Sequence, residues 1–457
     1  MKKIVKYIAL FLATIVILFF LQALVIRIPN RLIKNNMLDT IDYYEKRFPL
    51  TLLIPKLEKL NNVYLKNSFL VDDKIDALTL NLLWNVNNNR DNLWESQIAM
   101  NFFYNIAGGF SYSLKKTVLE NPPLNMEYSR YWHGSIFYLK PLLIFFDISQ
   151  IKIINAILLG TLTIYLLYSL FKKSKSLAVA FLLGFISINI FIVPFCFEYY
   201  FIFLIMIISS IITLNVYNKK DTYFYYLLLI NGVLSCFFDF LTCETLTLTI
   251  PLLIYLYLKY DKNTNQKQTL LFIVKSGIIW GISYFMTYLA KWIISVIVVG
   301  SSNWSEIFHS ASIRIYNTPF YGNPIVEIFN IVKTMFCSLF PFNLFSKSAP
   351  VAVLMSIILL TMFYFLLLRK SQRRCLKFLV LVSLIGVLRL VVLYAHSFQH
   401  YFFDYRALLP LVITAVLIVL GGVKNEVEYH NTMSKRGSNN RGSNKSSKKV
   451  HSKKKVK

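Results

Sequence analysis

Long apolar blocks, rather than apolar positions at helical or alternating spacing, organise this chain. Residues 5–25 (VKYIALFLATIVILFFLQALV) form the first block. Comparable blocks recur at roughly 151–171, 177–194, 198–217, 222–239, 242–258, 270–290, 350–368, 376–394 and 406–422. A helix needs about 20 apolar residues to cross the hydrocarbon core, because its backbone polar groups must be satisfied within the segment there. The pattern predicts an all-α fold, a polytopic bundle of about ten transmembrane helices. The first block follows the basic start MKKIVK, but it is too long for a signal h-region and no small-x-small site follows it, so a retained helix is expected.

Composition agrees with the pattern: 56% of the 457 residues are hydrophobic, and the mean hydropathy is +0.54. The five cysteines lie in or beside the apolar blocks with no CxxC pair, which fits small apolar filler rather than redox chemistry. A net charge of +27 could suggest a nucleic-acid partner, but its distribution argues against one. Basic residues follow every second block: Lys172, Lys173 and Lys175; Lys219 and Lys220; Lys259, Lys262 and Lys267; Arg369, Lys370, Arg373, Arg374 and Lys377. Short Lys/Arg-rich loops stay in the cytoplasm, so both termini are expected there.

That topology divides the chain into a first transmembrane helix at 1–25, a long extracytoplasmic loop at 26–150, a multi-span bundle at 151–423 and a basic cytoplasmic tail at 424–457. The tail carries eleven Lys and Arg among Ser and Asn, too few apolar residues to offset chain entropy, and is expected to be disordered near anionic lipid. Besides the long loop, the segments near 195–197, 240–241, 291–349 and 395–405 face outward. Near the end of the long loop stands SRYWHG, with Arg130, Tyr131, Trp132 and His133 at headgroup depth. The following SIFYLKPLLIFF is too short to cross and is expected to lie along, or dip into, the outer leaflet.

Ionisable residues in or at the ends of the spans mark a candidate site, and they gather on the outer face. Asp239 and Glu244 occupy the turn between spans five and six, Glu198 opens span four, and Lys291 reaches the outer interface from span seven. Asp404 and Arg406 lie just outside span ten, beside His396 and His400. Lys275 and Arg389 are explained by snorkelling or helix packing. The long loop adds Asp72, Asp73 and Asp76 in VDDKIDALTLNLLW, and Asp91 and Glu95 in RDNLWESQIAMNFFYN. The first of these stretches fits a helix lying on the membrane, with Asp72 and Asp76 on one face. Walker A, GxGxxG and HExxH motifs are absent. No soluble cofactor and no metal-ligating residues are expected, and the energy for any reaction must come from a lipid-borne activated group or a gradient.

One N-terminal helix, a long external segment with acidic residues, and then a bundle with external loops resemble the type-C (GT-C fold) glycosyltransferase architecture. The phrases VDDKIDALTLN, YSRYWHGSIFYLKPLL, FFDFLTCETLTLTIPLL, YLAKWI and HYFFDYRALLP resemble motifs of a family of bacterial multi-pass membrane proteins. The resemblance implies a glycosyltransferase of the cell membrane that moves a sugar from a polyprenyl-phosphate donor to a glycan or other envelope acceptor on the outer face. It points to Asp76 and Asp72 as catalytic carboxylates, ahead of Asp39 and Asp42, although many type-C enzymes carry their acidic residues closer behind the first helix. The expected substrate-binding residues are Arg130, His133, Asp239, Lys291, Asp404 and Arg406, with cations on the carrier phosphate. A polysaccharide polymerase or ligase, or a lipid-linked-glycan transporter, is the alternative. Transporters usually show two repeated halves, and this chain shows no internal repeat.

Overall fold

The computed structural model describes residues 2–46, 50–52, 62–87, 92–259, 265–300, 303–316, 323–345, 347, 349–367 and 374–420. Asp91, the basic loops at 262 and 369–373, and the tail from 424 lie outside the described residues.

The described residues are helical apart from one short antiparallel strand pair. Helix α1 (Lys2–Ile26) leads into a cap of short elements: α2 (Asn30–Glu45), β1 (Leu50–Leu52), α3 (Val63–Ser68), β2 (Leu70–Asp72), α4 (Asp73–Asn85), α5 (Leu93–Ala99), α6 (Gly109–Glu120) and α7 (Ser135–Leu142). Strands β1 and β2 pair antiparallel with Leu50 opposite Asp72. The bundle follows as α8 (Ile148–Lys173), α9 (Lys175–Ser187), α10 (Phe197–Val216), α11 (Asp221–Phe238), α12 (Leu246–Lys259) and α13 (Gln266–Val299). Helices α14 (Asn303–Tyr316), α15 (Pro324–Ser338), α16 (Ala349–Leu367), α17 (Arg374–Val392), α18 (Tyr394–Gln399) and α19 (Tyr401–Asp404) complete it, and the last helical stretch continues to Leu420.

Among the described residues, six helices are long and apolar enough to cross a membrane: Ile4–Ile26, Ile148–Lys173, Phe197–Val216, Asp221–Phe238, Gln266–Val299 and Tyr401–Leu420. On α1, Ile4, Ile8, Leu12, Val16 and Phe20 recur every fourth residue and are all exposed. An apolar stripe of that length suits a lipid bilayer and would be a liability in water.

Of the remaining expected spans, two fall short as α-helices for local reasons. After Ser187 the backbone turns at Asn189 (φ 52°) into a 3-10 segment, Ile190–Phe195, that contains Pro194. Between α11 and α12, the Asp239 carboxylate accepts from the backbone N–H of Thr242 and forms a turn, so α12 begins only at Leu246.

Hydrogen bonds fix which ends of the helices meet. At one end Ser174 Oγ lies 3.1 Å from Tyr257 Oη, and Lys259 pairs with Asp221. Lys172, Lys173, Lys219 and Lys220 belong to this basic end. At the opposite end Asp76 holds the start of α10, and the N–H of Gly134 donates to Phe237 O at the finish of α11 (2.9 Å). The cap packs over this second end through contacts of α7 with α1, α2 with α8, and α4 with α10.

The cap is protein interior. Asp73, Asp76 and the whole run from Ala77 to Asn85 are buried, so α4 is enclosed by α6, α7 and α10 and does not lie with one face on the membrane. The SIFYLKPLLIFF segment likewise forms α7 against α1 and α4. Its Lys140 is buried, with Nζ 3.3–3.4 Å from Ile26 O, Asn30 Oδ1 and Leu83 O.

Candidate functional site

Three groups of polar side chains occupy the end of the bundle away from the basic loops. The first is built on α4. Asp72 ends β2 and N-caps α4, its Oδ1 accepting from Lys74 N at 2.8 Å. Asp73 and Asp76 occupy the first turn, where the helix dipole favours negative charge. Lys152 of α8 reaches between them, with Nζ 2.9 Å from Asp73 Oδ1 and 2.7 Å from Asp76 Oδ2. The other oxygen of Asp76 accepts from Phe197 N at 3.1 Å and so pins the N-terminus of α10. Lys152, Asp73 and Asp76 are all buried, with two acids against one cation. Burial raises the Asp76 carboxyl to about 7, against the opposing pull of Lys152. Burial likewise raises Asp72 to about 6, against the backbone donors of Lys74 and Ile75.

The second group centres on Arg389 in the last turn of α17. Its Nε lies 3.1 Å from Glu244 Oε1, its Nη1 pairs with Asp404 Oδ2, and its Nη2 donates to Leu241 O at 2.6 Å. His396 Nε2 also lies 2.7 Å from that carbonyl. Leu241 sits at φ 66°, a left-handed conformation that a leucine rarely adopts. The Arg389 and His396 contacts, with the Asp239–Thr242 turn, hold it there, and strain of this kind clusters at functional sites. Close packing brings Arg389 within reach: a Cβ on Gly386 would lie 2.3 Å from Ala407 O. Asp239 is pushed up to about 8, by burial first and by neighbouring Glu244 second.

Glu198, in the first turn of α10, joins these two groups. Its carboxyl interacts electrostatically with Asp72 and Asp76 on one side and with Asp404 and Asp239 on the other. Its buried Oε2 has no hydrogen-bond partner among the described residues. Arg406 is fully buried nearby, its guanidinium 4.9 Å from the Tyr199 ring centre and 4.6 Å from that of Tyr405. Only its Nη1 has a hydrogen bond, to Phe402 O at 3.2 Å; Nε and Nη2 have none among the described residues.

The third group is SRYWHG. Its backbone is stitched to α1 and α13: Gln22 Nε2 donates to Trp132 O and His133 O, both at 3.0 Å, and Ser295 Oγ donates to Ser129 O at 2.9 Å. Gly134 permits the approach to α11, since a Cβ there would meet Phe237 O at 2.5 Å. Trp132 and Tyr131 are buried in protein rather than set among headgroups, and Trp132 Nε1 donates to Thr287 O at 2.9 Å. His133 is buried against Tyr128 O (2.8 Å), and burial drives it down to about 3, so it is a neutral imidazole. Lys291 is also buried: its Nζ donates to Ile98 O at 2.8 Å, because the cap covers the far part of the 34-residue α13. It is enclosed by protein and not set against lipid. Arg130 pairs with Glu306 of α14 at 3.0 Å and stacks 4.3 Å over Tyr128.

Beside Arg130 opens a cavity of about 170 Å³. Tyr131, Tyr284, Tyr288 and Trp292 line it, and Leu241 forms the wall it shares with the Arg389 group.

Of the residues expected to hold a phosphate, the structure brings Arg130, His133 and Lys291 together, since His133 interacts electrostatically with both cations. Arg406 lies apart, with Tyr199 and Tyr405. Asp404 pairs with Arg389 and Asp239 interacts with it electrostatically; packing was expected to explain Arg389, but it pairs with both Glu244 and Asp404. Lys152 was missed altogether; a lone lysine five residues into an otherwise apolar span was its available signal. Asp39, Asp42 and Glu95 are exposed. Among the described residues no cluster of three or more metal-ligating side chains could hold an ion. No protein-family model, characterised protein or solved structure matches the chain.

Proposed function

We propose that this protein is a membrane glycosyltransferase that moves a sugar from a polyprenyl-phosphate donor to an acceptor of the cell envelope. By the positive-inside rule, the basic loops lie in the cytoplasm and the reaction takes place on the outer face. The observation that supports the reading best is the shared wall at Leu241: the Arg389 group with Glu244 and Asp404, linked through Glu198 to Asp76 and Asp72, stands on one side of it, and an aromatic pocket edged by Arg130 on the other. Transfer to a hydroxyl needs a base for its proton, a cation for the departing phosphate and flat surfaces for the sugar ring. Asp76 is assigned as the base, since a carboxyl held at about 7 can accept a proton near neutral pH. Lys152 positions it, Asp72 fixes the start of its helix, and Arg130 faces the phosphate.

The test uses purified protein in proteoliposomes, radiolabelled polyprenyl-phosphate sugars and an envelope fraction as acceptor. Transfer is expected, and Asp76→Asn should lower it by about 100-fold or more while the protein remains folded. Wild-type activity in that variant would remove Asp76 as base, and no transfer from any donor by folded protein would remove the reading.

A transporter of lipid-linked glycan is the second reading, favoured by one feature: Glu198, an ionisable group inside a membrane helix whose Oε2 has no hydrogen-bond partner among the described residues. Flux of lipid-linked glycan across the bilayer that follows a pH gradient, with no product formed, would decide for it.

A further inference from the structure

The geometry points to the Arg130 pocket as a site for one saccharide ring carrying an anionic group, with the carboxylate of Glu306 occupying the anion's place in the structure described. The inference rests on the proposed reading that a sugar enters here, and it adds the charge of the ligand and the element that competes with it.

Four features support it. The cavity, about 170 Å³, is smaller than the ~300–1,000 Å³ of sites for drug-sized ligands and suits a single ring. Its walls are aromatic, from Tyr131, Tyr284, Tyr288 and Trp292, and flat rings take the apolar face of a sugar. Tyr284 Oη and Tyr288 Oη are buried and interact with each other, and beyond that pair they have no hydrogen-bond partner among the described residues; Tyr288 is only 7% exposed. Two buried hydroxyls that share one interaction leave hydrogen-bonding capacity unused, and the hydroxyls of a ligand would take it up. Arg130 Nε, at the rim, is also buried without a partner.

Arg130 already holds a carboxylate, that of Glu306. The pair is half open to solvent, with side-chain exposures of 23% and 44%, and an exposed ion pair contributes little stability. A ligand anion with a ring seated behind it can therefore displace Glu306 cheaply. Ile307 and Ala311, on the same helix α14, line the pocket as well, so release of Glu306 frees α14 to adjust to the ring. The anion could be the phosphate of a glycosyl phosphate or the carboxylate of an acidic sugar, and the guanidinium fork accepts both.

The test measures binding by Trp fluorescence or calorimetry to full-length protein in detergent, with glucose 1-phosphate, glucuronate, glucose and inorganic phosphate as probes. One or both anionic sugars should bind at least about tenfold more tightly than glucose or inorganic phosphate, a difference of about 1.4 kcal/mol. Which anionic sugar binds identifies the source of the charge. Glu306→Gln should tighten that binding several-fold and leave glucose unchanged. Arg130→Gln should abolish the preference, and Tyr288→Phe should weaken both sugars. Thermal unfolding of each variant separates loss of binding from loss of fold. Equal binding of glucose and the anionic sugars, no effect of Glu306→Gln, or no binding by folded wild-type protein would each overturn the inference. Anionic-sugar binding without any transfer in the proteoliposome assay would leave it standing and remove only the transferase reading.

Discussion

Lys152 Nζ lies 2.7 Å from Asp76 Oδ2, inside the protein, on two helices that meet where the cap covers the bundle. Charges taken out of water are tolerable only when paired, so the contact holds α4, α8 and the start of α10 together.

Lys152→Met should therefore leave Asp73 and Asp76 as uncompensated buried acids and cost about 3–5 kcal/mol of stability. The triple variant with Asp73→Asn and Asp76→Asn should recover much of the loss. Thermal unfolding in detergent checks this; equal stability of wild type and Lys152→Met would show that the pair contributes nothing net.

Arg389→Lys should fail to replace arginine. Glu244, Asp404 and Leu241 O are contacted by three different nitrogens of one planar group, and an ammonium is a point charge without that fork. The expected outcome is a lower unfolding temperature for Arg389→Lys, and a protein recovered poorly from membranes for Arg389→Ala. A lysine variant with wild-type unfolding would contradict the hub.

Stability should fall as pH rises between about 4 and 6 because of Asp72. Its folded value, about 6, lies above the ~3.9 of an unfolded aspartate. In that window the folded state binds more protons than the unfolded state, so the slope of stability against pH is negative. Asp72→Asn preserves a capping side chain and removes the titration. Its unfolding temperature should vary less steeply from pH 4 to 6, and an unchanged slope would assign the effect to other groups.

Orientation can be read with single cysteines. Ala107 and Asn218 are exposed at opposite ends, while Cys196, Cys236, Cys243 and Cys337 are buried and should stay silent. In intact cells a membrane-impermeant thiol reagent should label Ala107→Cys and not Asn218→Cys. The reverse pattern would place the carboxyl groups on the cytoplasmic side.

The membrane class, the helices and the segregation of charge were legible in the sequence because each is a local property. Crossing lipid demands about 20 consecutive apolar residues, so α1, α8, α10, α11 and α13 stand out without knowledge of any neighbour. Of the lysines after alternate blocks, Lys172, Lys173, Lys219, Lys220 and Lys259 likewise fell at one end of the folded bundle. Where the helices stop was less legible, since α9 and α12 are cut short by turns at Asn189 and Asp239 that lie inside apolar runs. The partners of the charged residues were not legible at all. Lys152 is 79 residues from Asp73 in sequence, and Arg389 is 145 from Glu244. A buried charge has a role only through the group that neutralises it, and that group is chosen by helix packing. For the same reason, tertiary structure alone decided that Lys291 and Trp132 lie inside protein instead of at the lipid surface, and that Glu198 and Arg406 are buried with polar atoms unpaired among the described residues.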